Sequence, residues 1–182
     1  MELETGWTSL LVGAWLALNK EKKEIMPPIK VFIVTEEGLF SKETGAFLEA
    51  VQDITLTGQV NDAWASIQMI HQIQPNVILL DISAFCIRDM KDVIRQMLSA
   101  SPQIKIIVIH QDSQKSLVLE ALRKGALGHL VKDKLHPPEI ITTIRAVNRG
   151  EVVLSPGMAG AILDEIAREQ GKNHDELYGG TP

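Results

Sequence analysis

The chain has 182 residues, of which 45% are hydrophobic and 23% are charged. This composition supports a folded core and excludes wholesale disorder. The formal net charge of −5 disfavours non-specific binding to nucleic acid. Cys86 is the only cysteine, so an intrachain disulfide is impossible and the cytoplasm, a reducing compartment, is the simplest location. We expect no membrane span, because no apolar run approaches the ~20 residues that a spanning helix needs.

Residues 1–28 are predicted to form a helical extension and a linker. Apolar side chains recur there at helical spacing on one face, at Trp7, Leu10, Leu11, Ala14 and Leu18. Pro27 and Pro28 then end any helix and favour an extended entry into the next segment. Such an apolar face either packs on its own domain or contacts a second copy or another partner, and both alternatives stay open.

Residues 29–150 alternate between predicted strands and predicted helices. Short apolar runs, typical of strands buried on both faces, lie at 31–34, 77–80, 106–109 and 130–131. In the segment 54–60, apolar and polar residues alternate, as they do in an edge strand. Between these runs lie segments in which apolar residues recur at helical spacing. Five strand–helix units in ~120 residues predict an α/β fold, in which a five-stranded parallel sheet carries helices on both faces.

Several residues are predicted to begin or end these helices. Asn61 or Asp62 can cap the second helix, and Ser113 can cap the fourth. Gly125 and Gly150 are predicted to end the fourth and fifth helices.

Residues 151–182 are predicted to form one more helix and an acidic tail. Ser155 can act as its N-cap, and Pro156 suits the first turn. The segment has two basic and six acidic residues, and its polar, glycine-rich end is typical of disorder.

Charged residues follow three of the predicted strands. Because ligands of such sheets bind beyond the carboxyl ends of the strands, Glu36, Asp81 and Lys132 are predicted to converge on one crevice. Carboxylates of this kind suit Mg²⁺, and a carboxylate beside a lysine can accept a phosphoryl group as an acyl phosphate. The alternative is a simple ion pair between Asp81 and Lys132 at the edge of the sheet.

Segments 29–40, 75–82 and 121–133 resemble the receiver domain of response regulators, and closest is the receiver half of NarL/FixJ-type regulators. The resemblance covers residues 29–150. It implies a flavodoxin-like or CheY-like fold with the strand order 2-1-3-4-5, flanked here by N-terminal and C-terminal helical extensions.

The resemblance also implies roles for individual residues. Asp81 matches the phospho-acceptor, and Lys132 matches the lysine that contacts the phosphate. Glu36, Asp81 and the backbone carbonyl of Ser83 match the ligands of Mg²⁺.

This sequence departs from the family pattern at several functional positions. The loop after the acceptor, residues 83–87, lacks the Met-Pro and the glycine that are usual in the family. Thr35 replaces the first of two adjacent acids, His110 replaces the Thr or Ser that ends the fourth strand, and His129 replaces an aromatic switch residue. We therefore expect a weakened Mg²⁺ site, weakened phosphoryl acceptance and a modified switch. We also expect Glu36 and Asp81 to raise the pKa values of the two histidines, which would make the pair sensitive to pH.

The leading functional hypothesis is a two-component receiver that has no enzymatic activity and acts through protein–protein contacts. Its partners would be a histidine kinase or another signalling protein, with a homodimer as a further possibility. The alternative is a pseudo-receiver, a binding or dimerisation module that works without phosphorylation. A small flavodoxin-like enzyme or nucleotide binder is disfavoured, because no glycine-rich loop follows the first strand. DNA binding is not expected, since the 32 residues after Gly150 leave no room for a helix-turn-helix domain.

Overall fold

The computed structural model describes residues 27–35, 39–83, 87–164 and 167. The strands are β1 (Ile29–Val34), β2 (Ile54–Val60), β3 (Val77–Asp81), β4 (Lys105–His110) and β5 (Ala126–Val131). The helices are α1 (Leu39–Glu49), α2 (Ala63–Ile73), α3 (Ile87–Ala100), α4 (Lys115–Arg123), α5 (Pro137–Asn148) and α6 (156–164), with a short 3₁₀ helix at Lys132–Lys134. The predicted N-terminal helix falls on residues 1–26 and most of the predicted tail on 168–182, so both lie outside the described residues.

The five strands form one parallel sheet in the order β2-β1-β3-β4-β5. This confirms the predicted fold class and strand order. β3 lies at the centre with all five of its residues buried, whereas β2 lies at one edge and is only partly buried. Continuous apolar runs therefore predicted the inner strands, and alternation predicted the edge strand.

Alternate side chains of the strands face two separate hydrophobic layers. Phe32, Ile78 and Leu80 pack in the layer beneath α2, α3 and α4. Val31 and Leu79 point to the other face and pack in the layer beneath α1 and α5. Because both faces of the sheet are covered, the carboxyl ends of the strands are the natural place for a site.

Asp62, Gly125 and Gly150 lie at helix ends as predicted, whereas Ser113 does not cap its helix. The side chain of Asp62 accepts hydrogen bonds from the backbone N–H groups of Trp64 and Ala65, so it caps α2 as predicted. The prediction that Ser113 caps α4 was wrong. The N-cap position of α4 is Gln114, whose side chain makes no capping hydrogen bond because it bonds to neighbouring loops. Gly125 follows α4 with a φ of +107°, a conformation that favours glycine.

The segment after α5 packs along the outer edge of the sheet. The backbone N–H of Val153 donates to the carbonyl of Leu127 at 2.8 Å, and Val153 forms a parallel bridge with Gly128 of β5. The hydroxyl of Ser155 accepts from the backbone N–H of Met158 at 3.4 Å at the start of α6, as the capping prediction requires. Met158 itself is 3% exposed and joins the layer beneath α2, α3 and α4.

Among the residues that the structure describes, no helix has the length and apolar character to cross a bilayer.

Candidate functional site

The carboxyl ends of β1, β3 and β5 bring three polar side chains together. Asp81 is the last residue of β3, Thr35 directly follows β1, and Lys132 directly follows β5. Asp81 and Thr35 are buried, with 6% and 4% of their surface exposed. Asp81 and Lys132 therefore meet at this edge of the sheet, called the Asp81 crevice below, as the sequence predicted. Glu36, the third residue of the prediction, lies outside the described residues.

Four donors bind the carboxylate of Asp81. The ammonium group of Lys132 lies 2.8 Å from Oδ2, and the hydroxyl of Thr35 donates to the same oxygen at 3.0 Å. Ser83 donates twice to Oδ1, from its backbone N–H at 3.0 Å and from its hydroxyl at 2.5 Å. A carboxylate has about four positions for hydrogen bonds, so the chain itself fills the acceptor capacity of Asp81.

These donors hold Asp81 in its ionised form. Burial raises the pKa of the carboxyl, but the hydrogen bonds from Lys132 and from the hydroxyl and N–H of Ser83 outweigh that effect. The pKa of Asp81 is therefore lowered from its ordinary value. A nucleophilic carboxylate must be ionised, so this electrostatic setting suits a phospho-acceptor as well as a simple ion pair.

The carbonyl oxygen of Ser83 also has a partner within the chain. The side-chain amide of Gln114 donates to it from Nε2 at 2.9 Å. The other end of the amide, Oε1, accepts from the backbone N–H of Gln111 at 3.1 Å. Gln114 thus joins the loop after β4 to the loop after β3.

The donor set around Asp81 does not fit a Mg²⁺ ion as it stands. Mg²⁺ needs open oxygen ligands at about 2.0–2.1 Å, whereas the Asp81 oxygens bind Lys132, Thr35 and Ser83. Across the described residues, no group of three or more His, Cys, Asp or Glu side chains is arranged to hold a metal. The role of Glu36 as a metal ligand stays a prediction.

His110 and His129 lie beside this crevice and bond to each other. His110 ends β4 with 1% of its surface exposed, and His129 lies on β5 with 7% exposed. Nε2 of His110 is 3.0 Å from Nδ1 of His129. Sequence patterns predicted that the two residues are neighbours but not that their rings form a hydrogen bond.

The partners of the two rings fix their tautomers. The backbone N–H of Ser155 can only donate, so Nε2 of His129 accepts it, at 3.1 Å. A neutral His129 therefore carries its proton on Nδ1 and donates to Nε2 of His110. His110 in turn donates from Nδ1 to the carbonyl of Gln111 at 2.7 Å. Every polar ring atom has a partner when both histidines are neutral.

The prediction that nearby acids raise the pKa values of these histidines was wrong. Burial lowers the pKa of His129 to about 4, with a further lowering from His110. Burial also lowers the pKa of His110, although the Gln111 carbonyl and the charge of Asp112 act in the opposite direction. In the part of the chain that the structure describes, the ring nitrogens bond to each other, to the Gln111 carbonyl and to the Ser155 N–H, and to no carboxylate. Asp81 bonds instead to Lys132.

A cavity of about 290 Å³ lies beside the two rings and beneath the start of α6. The charged side chains that line it balance one another, namely Asp112, Lys115, Lys134 and Glu139. Lys134 pairs with Asp112 at 2.7 Å. Burial is the largest cause of the lowered pKa of each histidine beside this cavity.

Comparison with known proteins defines the class to which this fold and site belong. No protein-family model matches the chain. The chain is 32% identical over 162 residues to the uncharacterized transcriptional regulatory protein YxjL of Bacillus subtilis, an alignment that covers 87% of this chain and 69% of that protein. It is 29% identical over 155 residues to the transcriptional regulatory protein LiaR of the same organism, covering 82% and 71%.

Solved structures of response regulators share the fold. A two-component response regulator of the LuxR family from Aurantimonas sp. SI85-9A1 matches with a TM-score of 0.65 at 17% identity, over 77% of this chain and 99% of that one. The receiver domain of a NarL response regulator from Mycobacterium tuberculosis matches with a TM-score of 0.62 at 21% identity, over 69% and 100%. The chain is a two-component response regulator whose sheet and helices form a receiver domain. Within that class it belongs to the NarL/LuxR type, as the resemblance predicted.

Sequence reasoning missed three contacts at the site. It singled out Thr35 only as a missing acid, whereas the structure shows its hydroxyl bonded to Asp81. It did not single out Gln114, and it treated Ser155 only as a helix cap. No spacing pattern could have identified these contacts, because each joins residues that are far apart in the chain.

Proposed function

We propose that this chain is a signalling receiver in which Asp81 accepts a phosphoryl group weakly and whose output passes through protein–protein contacts. The observation that carries the proposal is the ion pair at the carboxyl end of β3, where Lys132 lies 2.8 Å from the buried Asp81. The lysine can stabilise the negative charge of an incoming phosphoryl group.

The reaction would use the ionised carboxylate as the nucleophile. An oxygen of Asp81 attacks the phosphorus of the donor and forms a new P–O bond. The bond from phosphorus to the leaving group breaks at the same time, a P–N bond where the donor is a phosphohistidine, and the leaving group departs with the bonding electrons. An acyl phosphate remains on Asp81. The attacking oxygen must first give up at least one of its hydrogen bonds. Because each such bond to a charged group contributes about 1.5–3 kcal/mol, and about 1.4 kcal/mol corresponds to a tenfold change in rate, the reaction is slow.

A second candidate is a pseudo-receiver that binds its partner without phosphorylation. The observation that favours it is the complete set of internal donors on Asp81, from Lys132, Thr35 and Ser83. A carboxylate held in this way can serve as a structural anchor of the crevice. In both candidates the chain catalyses no reaction on another molecule, and output depends on contacts with a kinase, another signalling protein or a second copy.

Location and partners follow from the same proposal. A histidine kinase is the expected phosphodonor protein, as is general for two-component response regulators. The lone Cys86 is compatible with the reducing environment of the cytoplasm, where we place the protein.

The deciding experiment is labelling with a small-molecule phosphodonor, followed by intact mass measurement with and without Mg²⁺. We expect slow addition of one phosphoryl group to the wild type, and none to Asp81→Asn. The matched control is Asp112→Asn, which removes an exposed carboxylate from the neighbouring loop and should keep the label. Labelling that survives Asp81→Asn refutes the site, and a wild type that never takes the label favours the pseudo-receiver.

A further inference from the structure

A continuous series of hydrogen bonds connects Asp81 with the start of α6. Its first half lies around Gln114. The N–H of Ser83 donates to Asp81, and the amide of Gln114 donates to the carbonyl of Ser83 at 2.9 Å. The N–H of Gln111 then donates to Oε1 of Gln114 at 3.1 Å. The two ends of the Gln114 amide thus bind a carbonyl and an N–H, which fixes the orientation of the amide.

The second half of the series consists of the two histidines. The carbonyl of Gln111 accepts from His110, and His110 accepts from His129. His129 accepts from the backbone N–H of Ser155 at 3.1 Å. The backbone N–H and the backbone carbonyl of Gln111 therefore each have a partner, one from each half of the series.

All these bonds have the same direction. In each of the six bonds, the donor is the group nearer to Ser155 along the series and the acceptor is the group nearer to Asp81. Directly linked hydrogen bonds polarise one another. At Ser83 and at Gln111 the series passes from the carbonyl to the N–H of the same residue, so a displacement of that residue's backbone carries the effect across. A change in the charge or position of the Asp81 carboxylate therefore acts on the geometry of the next donor, and so on along the series.

We infer that Gln114 is a positioning residue that couples the Asp81 crevice to the C-terminal segment 151–164 through this series of hydrogen bonds. The inference rests on the proposed function only in taking Asp81 as the signalling centre. Gln114 is the critical member because, among the described residues of the two loops, its side chain joins the loop after β3 to the loop after β4. The other members are backbone groups or buried rings.

The C-terminal segment is suited to receive such a signal. Its contacts with the domain include the Ser155 bond, the short bridge to β5 and the buried side chain of Met158. Leu154 and Ile162 pack against the same hydrophobic layer as Met158. Loss of the Ser155 bond removes the attachment that lies directly on the histidine pair. Two apolar side chains of the segment, Val152 and Leu163, are exposed at 59% and 67%, so a shift of the segment alters a surface that a partner can sense.

The test is a cycle of variants read by NMR at the backbone N–H of Ser155. In the wild-type background, Asp81→Asn should shift the Ser155 signal and speed its hydrogen exchange by about tenfold, the effect of weakening one hydrogen bond. In the Gln114→Ala background, the same Asp81→Asn change should leave the Ser155 signal and its exchange unaltered. No phosphodonor is needed, so the outcome is independent of whether Asp81 accepts a phosphoryl group.

Two further variants separate coupling from simple damage to the fold. Gln111→Ala removes an exposed glutamine side chain from the same loop but keeps the backbone N–H and carbonyl, so the coupling should persist. Gln114→Glu keeps the acceptor for Gln111 but cannot donate to Ser83, so the coupling should be lost while the histidine bonds remain. The inference is overturned if Asp81→Asn shifts Ser155 equally in the wild-type and Gln114→Ala backgrounds, or does not shift it in the wild type.

Discussion

Mild acid should destabilise this domain through the buried histidine pair. The pKa of His129 is about 4 in the folded chain, below its ordinary value of 6.5. The unfolded chain therefore takes up the proton first as the pH falls, and the free energy of unfolding decreases. The contribution of His129 is fully present above its unfolded pKa and is lost progressively as the pH falls towards 4. His110 acts in the same direction, because its pKa is also lowered.

The loss of unfolding free energy can be calculated from the lowered pKa of His129. A change from 6.5 to about 4 corresponds to a total of about 3 kcal/mol, of which about 2 kcal/mol is lost between pH 7 and pH 5. Protonation also breaks the series of bonds, since an imidazolium at position 129 has no acceptor site for the N–H of Ser155. We therefore expect the contact between Ser155 and the ring to open in the same pH range.

Urea unfolding at several pH values between 5 and 7 measures this loss. His129→Phe should be less stable near neutral pH, because His110 and Ser155 lose a partner, but its stability should fall less steeply towards pH 5. Met158→Ala is the matched control. It leaves a cavity beside the same segment and costs about 2–5 kcal/mol at every pH, without removing a titrating group. Equal pH slopes for the wild type and His129→Phe would refute the reasoning.

Three further predictions follow from the site and the sequence. Thr35→Val removes a hydroxyl donor to Asp81 with little change in side-chain volume. Labelling by a phosphodonor, followed by intact mass, should therefore become about tenfold faster. An unchanged rate would contradict the idea that the Thr35 hydroxyl restrains Asp81. Deletion of residues 1–26 should lower the melting temperature or change the elution volume on gel filtration, because it removes the predicted apolar helical face and uncovers the surface that this face contacts. The chain should not shift duplex DNA at submicromolar protein, and a salt-dependent shift would overturn that expectation.

The sequence by itself determined the order and type of the elements in the described chain. Apolar runs such as 77–80 have no polar face, so they must be covered on both sides. Their short length and their β-branched residues favour strands, and the helical stripes between them supply the cover. The same reasoning located Asp81 and Lys132 at the carboxyl ends of β3 and β5, where the structure places them 2.8 Å apart. These features depend on local periodicity and on the general geometry of parallel sheets.

The tertiary structure alone decided which groups bind the site residues. Thr35 and Asp81 are 46 residues apart, Ser83 and Gln114 are 31 apart, and His129 and Ser155 are 26 apart. Contacts over such distances depend on strand register, loop path and rotamer, none of which leaves a periodic signal.

The pKa values of the histidines illustrate the same limit. The sequence placed His110 and His129 near acids and so predicted raised pKa values, but the structure lowers both. The sign of a shift depends on the balance between burial and charged partners. That balance is set only when the chain folds, because folding buries both rings. In the folded chain the Asp81 carboxylate accepts hydrogen bonds from Lys132, Thr35 and Ser83.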